Sequence, residues 1–145
     1  MICAFFGHKD SPESVKPVLE LAVKQILERY PDTTFYVGHN GSFDGMALSV
    51  LKKLSEDFPK MSYAVILAYL PTGDLVDFYN GLPTIYPEGI EYVPKKHAIS
   101  FRNDWIVKQA DMVVCYITRS FGGAVKFVEK ARKNGKMVYN LADLQ

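Results

Sequence analysis

Cysteine is scarce in this 145-residue chain. Its two cysteines, Cys3 and Cys115, form no CxxC pair, and each sits inside an apolar run. A metal or redox motif is therefore unsupported, and both thiols read as small core hydrophobes. An excess of either charge is also missing. Lysine plus arginine number 17 against 16 acids, a formal net charge of +1. The basic pairs Lys52–Lys53 and Lys95–Lys96 are short, so no concentrated positive stripe is evident and a nucleic-acid partner is not expected. No run approaches the roughly 18 apolar residues of a membrane span, and the N-terminus has no basic lead followed by a signal-length apolar segment. A cytoplasmic location with no membrane partner is the expectation. The three histidines are scattered without metal-ligand spacing. Neither GxGxxG nor GxxxxGK[ST] occurs, which leaves an ordinary dinucleotide site or an ATPase cycle without support. Neither a metal nor a cofactor is expected.

What is present is an alternation of short apolar runs with helical periodicity. Residues 2–6 read as a buried strand stopped by Gly7. Ser11, Pro12 and Glu13 suit the cap, first position and positive end of a helix running to Tyr30. Residues 34–37 read as a second strand, 43–58 as a helix and 63–68 as a strand covered on both faces. Residues 70–94 are irregular, with a helical turn expected at 74–79 and a short strand near 89–93. Ser100 suits the cap of a helix through Trp105 to about residue 109. A strand at 111–117, a helix to about 134 and a strand at 137–141 complete the pattern. The order predicts one α/β domain over residues 1–145: a Rossmann-like three-layer sandwich, with a mainly parallel sheet and helices on both faces.

Ligands of such sheets bind at the carboxyl ends of strands. Three polar, glycine-containing loops leave strands here: Gly7-His8-Lys9, Gly38 to Asp44, and Thr118 to Gly123. In the third, Ser120, Gly122 and Gly123 stand where a helix begins, and free amides there can hold an anion. A tight turn without a ligand fits the same residues. Asp44 either stabilises its own helix start or accepts from a ribose hydroxyl. His8 is well placed at a strand end, whereas His39 and His97 suit surface or hydrogen-bonding roles. Arg102, next to Asn103, offers a planar fork for phosphate or carboxylate, or pairs with Asp104 on a helix surface. Trp105 suits the core better than a base-stacking role.

These motifs, taken in order, carry a resemblance: Phe6-Gly7-His8, Gly41-Ser42-Phe43-Asp44, Arg102-Asn103, Ala110-Asp111 and Ser120-Phe121-Gly122-Gly123. The chain resembles the SLOG superfamily, the Rossmann-like group that includes the Lonely Guy phosphoribohydrolases. Within it, the chain is most similar to small bacterial and phage proteins of the DUF1273 type. The resemblance implies a pocket for a nucleotide-derived ligand. Gly7, His8, Gly41, Ser42 and Asp44 would line it, Arg102 and Asn103 would meet phosphate or sugar, and Ser120, Gly122 and Gly123 would cradle phosphate. It also implies a catalytic pair, Arg102 and Glu129, matching the arginine and glutamate of the hydrolases. The PGGxGTxxE motif is incomplete, however, and Ala124 replaces a threonine that many relatives carry.

Two functions follow as expectations. The first is a sensor or binding domain for a nucleotide or nucleotide-derived small molecule. The alternative is a phosphoribohydrolase-like glycosidase acting on a nucleoside 5′-monophosphate. A structural domain with a vestigial cleft is a blander option, with Tyr79, Tyr86 and Tyr92 in the irregular segment as an interface. Homodimerisation is compatible with the resemblance, because the family often oligomerises.

Overall fold

The computed structural model describes residues 1–144; the end of the expected domain, Gln145, lies outside the described residues. Six strands form one sheet: β1 (Ile2–Gly7), β2 (Thr34–Val37), β3 (Ser62–Ile66), β4 (Thr84–Ile85), β5 (Met112–Tyr116) and β6 (Met137–Asn140). Their order is β4-β3-β2-β1-β5-β6, and every neighbouring pair is parallel. This is the Rossmann-like α/β fold that the sequence predicts.

Parallel strands need crossover helices, and these cover both faces. On one face α1 (Val15–Arg29) and α2 (Ser42–Leu54) bury Val15, Leu19, Val23, Phe43, Ala47 and Leu51 against Cys3, Phe5, Phe35 and Val114. On the other, α4 (Ala98–Gln109) and α5 (Gly123–Lys133) bury Ile106, Val107, Phe127 and Val128 against Ala4, Phe6, Ile66, Val113 and Cys115. The period-two alternation of β1 divides these cores, with Cys3 and Phe5 on one side and Ala4 and Phe6 on the other. Burial pushes the Cys115 thiol up to about 12 and raises that of Cys3 as well. Both thiols are thus protonated core groups. Trp105 packs against Tyr36, their rings 5.5 Å apart.

The irregular segment departs from expectation. Residues 90–92 form a 3-10 turn rather than a strand, because Gly89 takes a left-handed φ of 90° and interrupts any extended run. The edge strand instead lies earlier, at β4, where Thr84 and Ile85 pair with Val65 and Ile66. A short helix, α3 (Asp74–Tyr79), precedes it and buries none of its residues. Ser11 does not cap α1: its hydroxyl donates to the His8 carbonyl at 2.7 Å, and α1 starts at Val15. Ser100 lies within α4, whose N-cap is His97. Among the described residues, no helix is long and apolar enough to cross a membrane.

Candidate functional site

The sheet order places a topological switch point between β1 and β5. From β1 the chain builds outward through β2, β3 and β4, then crosses to the far side of β1 to lay down β5 and β6. Loops from adjacent strands diverge at such a point and leave a crevice. A cavity of about 370 Å³ occupies it, with walls that include Gly7, His8 and Lys9 after β1, Gly38 and Asn40 after β2, and Arg119, Gly122 and Gly123 after β5. Arg102 and Asn103 of α4 and Asp44 of α2 complete the wall. A larger, mostly apolar hollow of about 540 Å³ lies between α1 and the β5–β6 edge. No comparable set of polar groups converges there.

Arg102 is the cavity's deepest charge. Only 2% of it is exposed. Its Nη1 donates to the Ile66 carbonyl at 3.1 Å, its Nη2 to Asn40 Oδ1 at 3.1 Å, and its Nε to Asn103 Oδ1 at 2.7 Å. These bonds use three of the five guanidinium N–H groups. None of the ion pairs among the described residues involves Arg102; Asp104 pairs with Lys130 instead. A buried cation held by neutral acceptors leaves local positive potential in a medium of low dielectric, which suits an anion. Burial lowers the Arg102 pKa, and the nearby Asp44 charge offsets part of that effect.

Asp44 accepts the Asn40 amide at 3.0 Å. Burial raises its pKa to about 6, against the opposing pull of that hydrogen bond and of the Arg102 and Lys9 charges. His39 accepts the Ala68 amide on Nε2 at 3.1 Å, and burial and the Arg102 charge lower its pKa to about 4. His8 accepts the Thr118 amide on Nε2 at 3.1 Å, tying the β1 loop to the β5 loop. Its other ring nitrogen therefore carries the hydrogen and lies on the Gly122 side. Burial and the Arg119 charge lower the His8 pKa.

Gly122 caps α5 at a φ of 111° without a side-chain capping bond, and the first turn of α5 has no acid. Its opening amides retain their donor capacity beside the cavity. Arg119 forms two hydrogen bonds to Asp10, at 3.0 and 3.2 Å. The same guanidinium lies 5.1 Å from the centre of the Phe121 ring. Phe121 itself is 66% exposed and stands in the chain between the cavity-lining residues Arg119 and Gly122.

Seven residues predicted for the site meet at this cavity: Gly7, His8, Asp44, Arg102, Asn103, Gly122 and Gly123. Gly41, Ser42 and Ser120 do not line it. Gly41 and Ser42 instead anchor the β2 loop. The Ser42 amide donates to the Lys9 carbonyl and its hydroxyl to the Ser11 carbonyl, while Gly41 takes a φ of 99° in close approach to Lys9. Ser120 is exposed. The sequence reading missed Lys9, Asn40 and Arg119. Each stands beside a residue that it selected, so the loops rather than the single residues carried the signal.

The expected catalytic pair is not assembled. Glu129 does not line the cavity; it is exposed on α5 and paired with Arg132 at 3.6 Å. Arg102 spends its bonds on the ends of β2 and β3.

No family model matches the chain, and no curated protein matches it. Solved structures do. The chain is similar to DNA processing protein A (DprA) from Streptococcus pneumoniae, with a TM-score of 0.68 at 14% identity, covering 95% of this chain and 49% of that one. It is also similar to DNA processing protein A from Helicobacter pylori, described for its single-stranded DNA binding mode, with a TM-score of 0.64 at 15% identity. That match covers 95% of this chain and 63% of the other. The chain thus spans about half of the first neighbour's length and under two thirds of the second's. The likeness supports the Rossmann-like fold expected from the SLOG resemblance. It also overturns two functional expectations: a nucleotide sensor or glycosidase, and the absence of a nucleic-acid partner. The physical reason is local. A net charge of +1 averages over the chain, whereas the fold gathers Lys9, Arg102 and Arg119 from three separate segments around one cavity, against the lining carboxyl of Asp44 and the Asp10 partner of Arg119.

Proposed function

We propose that the switch-point cavity binds single-stranded DNA. One observation carries the reading. The exposed Phe121 ring lies beneath the Arg119 guanidinium, next to a cavity whose wall holds the buried Arg102 charge. Single strands are held by aromatic platforms that stack bases and by cationic grooves that follow the backbone. Phe121 supplies the platform. The α5 amides, Lys9, His8 and Arg102 receive a backbone phosphate. Gly7, Gly122 and Gly123 let the backbone approach it closely. Asn103 and Asn40 position the Arg102 guanidinium through their side-chain oxygens. The single-stranded DNA binding described for the H. pylori neighbour supports the choice of polymer.

The same proposal treats the chain as one domain of the SLOG superfamily on its DUF1273-type branch, acting in the cytoplasm, on the strength of the ordered motifs from Phe6 to Gly123. The test is a titration of labelled oligothymidylate followed by anisotropy, with thymidine monophosphate as competitor. Saturable binding that weakens with added salt, and that the mononucleotide does not displace at comparable concentration, supports the reading. Absence of oligonucleotide binding at low salt overturns it.

A further inference from the structure

A second hollow lies across Gly38 and Asp44 from the switch-point cavity. Gly38 and Asp44 wall this smaller hollow of about 170 Å³ as well, together with His39, Phe78 and Tyr79. That hollow shares Gly45, Leu48 and Phe78 with an open groove of about 550 Å³ over Lys52 and Lys53. Gly45, Ser49 and Lys52 recur at helical spacing and Glu56 follows just past the helix end, so the groove runs along the exposed side of α2. Shared walls therefore link three hollows in a row, from the start of α5 to the outer side of α2.

Phe78 stands at the join. It is 54% exposed, and the Lys52 Nζ lies 5.4 Å from its ring centre. Tyr79 meets its edge at 4.9 Å, and Tyr79 in turn meets His39 at 5.7 Å. Helix α3 leaves Leu75, Val76 and Phe78 exposed together, and such apolar patches mark contact surfaces. Lys53 is paired with Glu20 at 2.9 Å, whereas Lys52 forms no ion pair among the described residues. An exposed ring with a lysine above it repeats, at the far end of the row, the Phe121–Arg119 arrangement at the near end.

We propose that this groove is a second subsite for the same strand, in which a base stacks on Phe78 and the neighbouring phosphate meets Lys52. The inference rests on the reading that the switch-point cavity binds single-stranded DNA. The occupant is argued from Lys52, the cation over the ring, which forms no ion pair among the described residues, while Glu56 at the other end of the groove and the α3 acids Asp74 and Asp77 limit the stretch open to a polyanion.

The test compares a trinucleotide with an oligothymidylate of about twelve nucleotides, on the wild-type chain and on Phe78→Ala and Lys52→Ala. The wild type should bind the longer strand more tightly. Phe78→Ala should lose roughly tenfold on the longer strand, the scale of one lost base stack, and leave trinucleotide binding unchanged. Ultraviolet cross-linking of the longer strand should mark the peptide containing Phe78. If Phe78→Ala binds both strands like the wild type and no cross-link reaches that peptide, the groove serves another partner and the inference is wrong. Equal weakening on both strands also overturns it, because Phe78 would then belong to the first site. If the wild type binds neither strand, the reading of the cavity itself has failed.

Discussion

Asp44 and Arg102 both close on Gly38. A methyl group on that glycine would lie 2.9 Å from Asp44 Oδ2 and 3.0 Å from Arg102 Nη1. The bare backbone at the end of β2 is what allows a buried cation and a half-buried carboxyl to sit so close to one strand end. Gly7 does the same for the end of β1, but against a different kind of neighbour. A methyl group there would lie 2.2 Å from Phe43 Cγ and 2.7 Å from Phe43 Cβ.

The two glycines should therefore respond differently. At Gly7 the obstacle is the root of a core side chain, so Gly7→Ala should destabilise the fold by about 1–3 kcal/mol, the scale of an overpacked core. At Gly38 the obstacles are the tips of two side chains. Gly38→Ala should cost less stability and instead weaken DNA binding by displacing Arg102. Urea denaturation and anisotropy, run on both variants, separate the two effects.

Asp44 and His39 should pull the pH dependence of stability in opposite directions. The Asp44 carboxyl titrates at about 6 in the fold against an ordinary 3.8. Between those values the folded chain holds a proton that the unfolded chain has released, so stability falls as pH rises. His39 titrates at about 4 in the fold against 6.5. Over that window the unfolded chain holds the extra proton, so stability rises with pH; the lowered His8 pKa adds to this rise. Asp44→Asn should steepen the rise from about pH 4 to 6, and His39→Gln should expose a fall. Denaturation midpoints across that range measure both, and slopes unchanged by either substitution would refute the account.

Phe121 is exposed and carries no core packing. Phe121→Ala should leave stability within about 0.5 kcal/mol of wild type, yet weaken single-stranded DNA binding by about 1–3 kcal/mol. Thermal melts and binding curves on one preparation test this directly.

Arg102 should be harder to replace. Arg102→Ala leaves the buried Ile66 carbonyl without its donor, at about 1–3 kcal/mol, and also frees the half-buried Asn40 Oδ1. Arg102→Lys keeps the charge and loses the fork. It should fold better than the alanine variant but bind DNA less tightly than wild type.

Much of this was legible in the sequence. Five of the six strands follow from apolar runs bounded by glycine, proline or polar turns. The exception is β4, two residues long between Pro83 and Pro87, too short for any period to register. The strand-end rule singled out the loops of His8, Asp44 and Gly122, the family resemblance added Arg102 from a helix, and the fold places all four around one cavity. Burial of Arg102 was not legible, because it depends on Ile66, which stands 36 positions away. The Asp10–Arg119 pair spans 109 positions. Glu129 matched the register of the family glutamate, but helical periodicity turns it outward to Arg132. Net charge misled for the same reason: it counts residues without regard to where the fold collects them.

Amide chemical-shift mapping of the isotope-labelled chain, titrated with oligothymidylate, tests the central claim most directly. Shifts concentrated at His8, Lys9 and the stretch from Arg119 to Ala124, growing with occupancy, are the predicted result. Shifts confined to the apolar hollow around Met137 and Tyr139, or no shifts at saturating oligonucleotide, would contradict it.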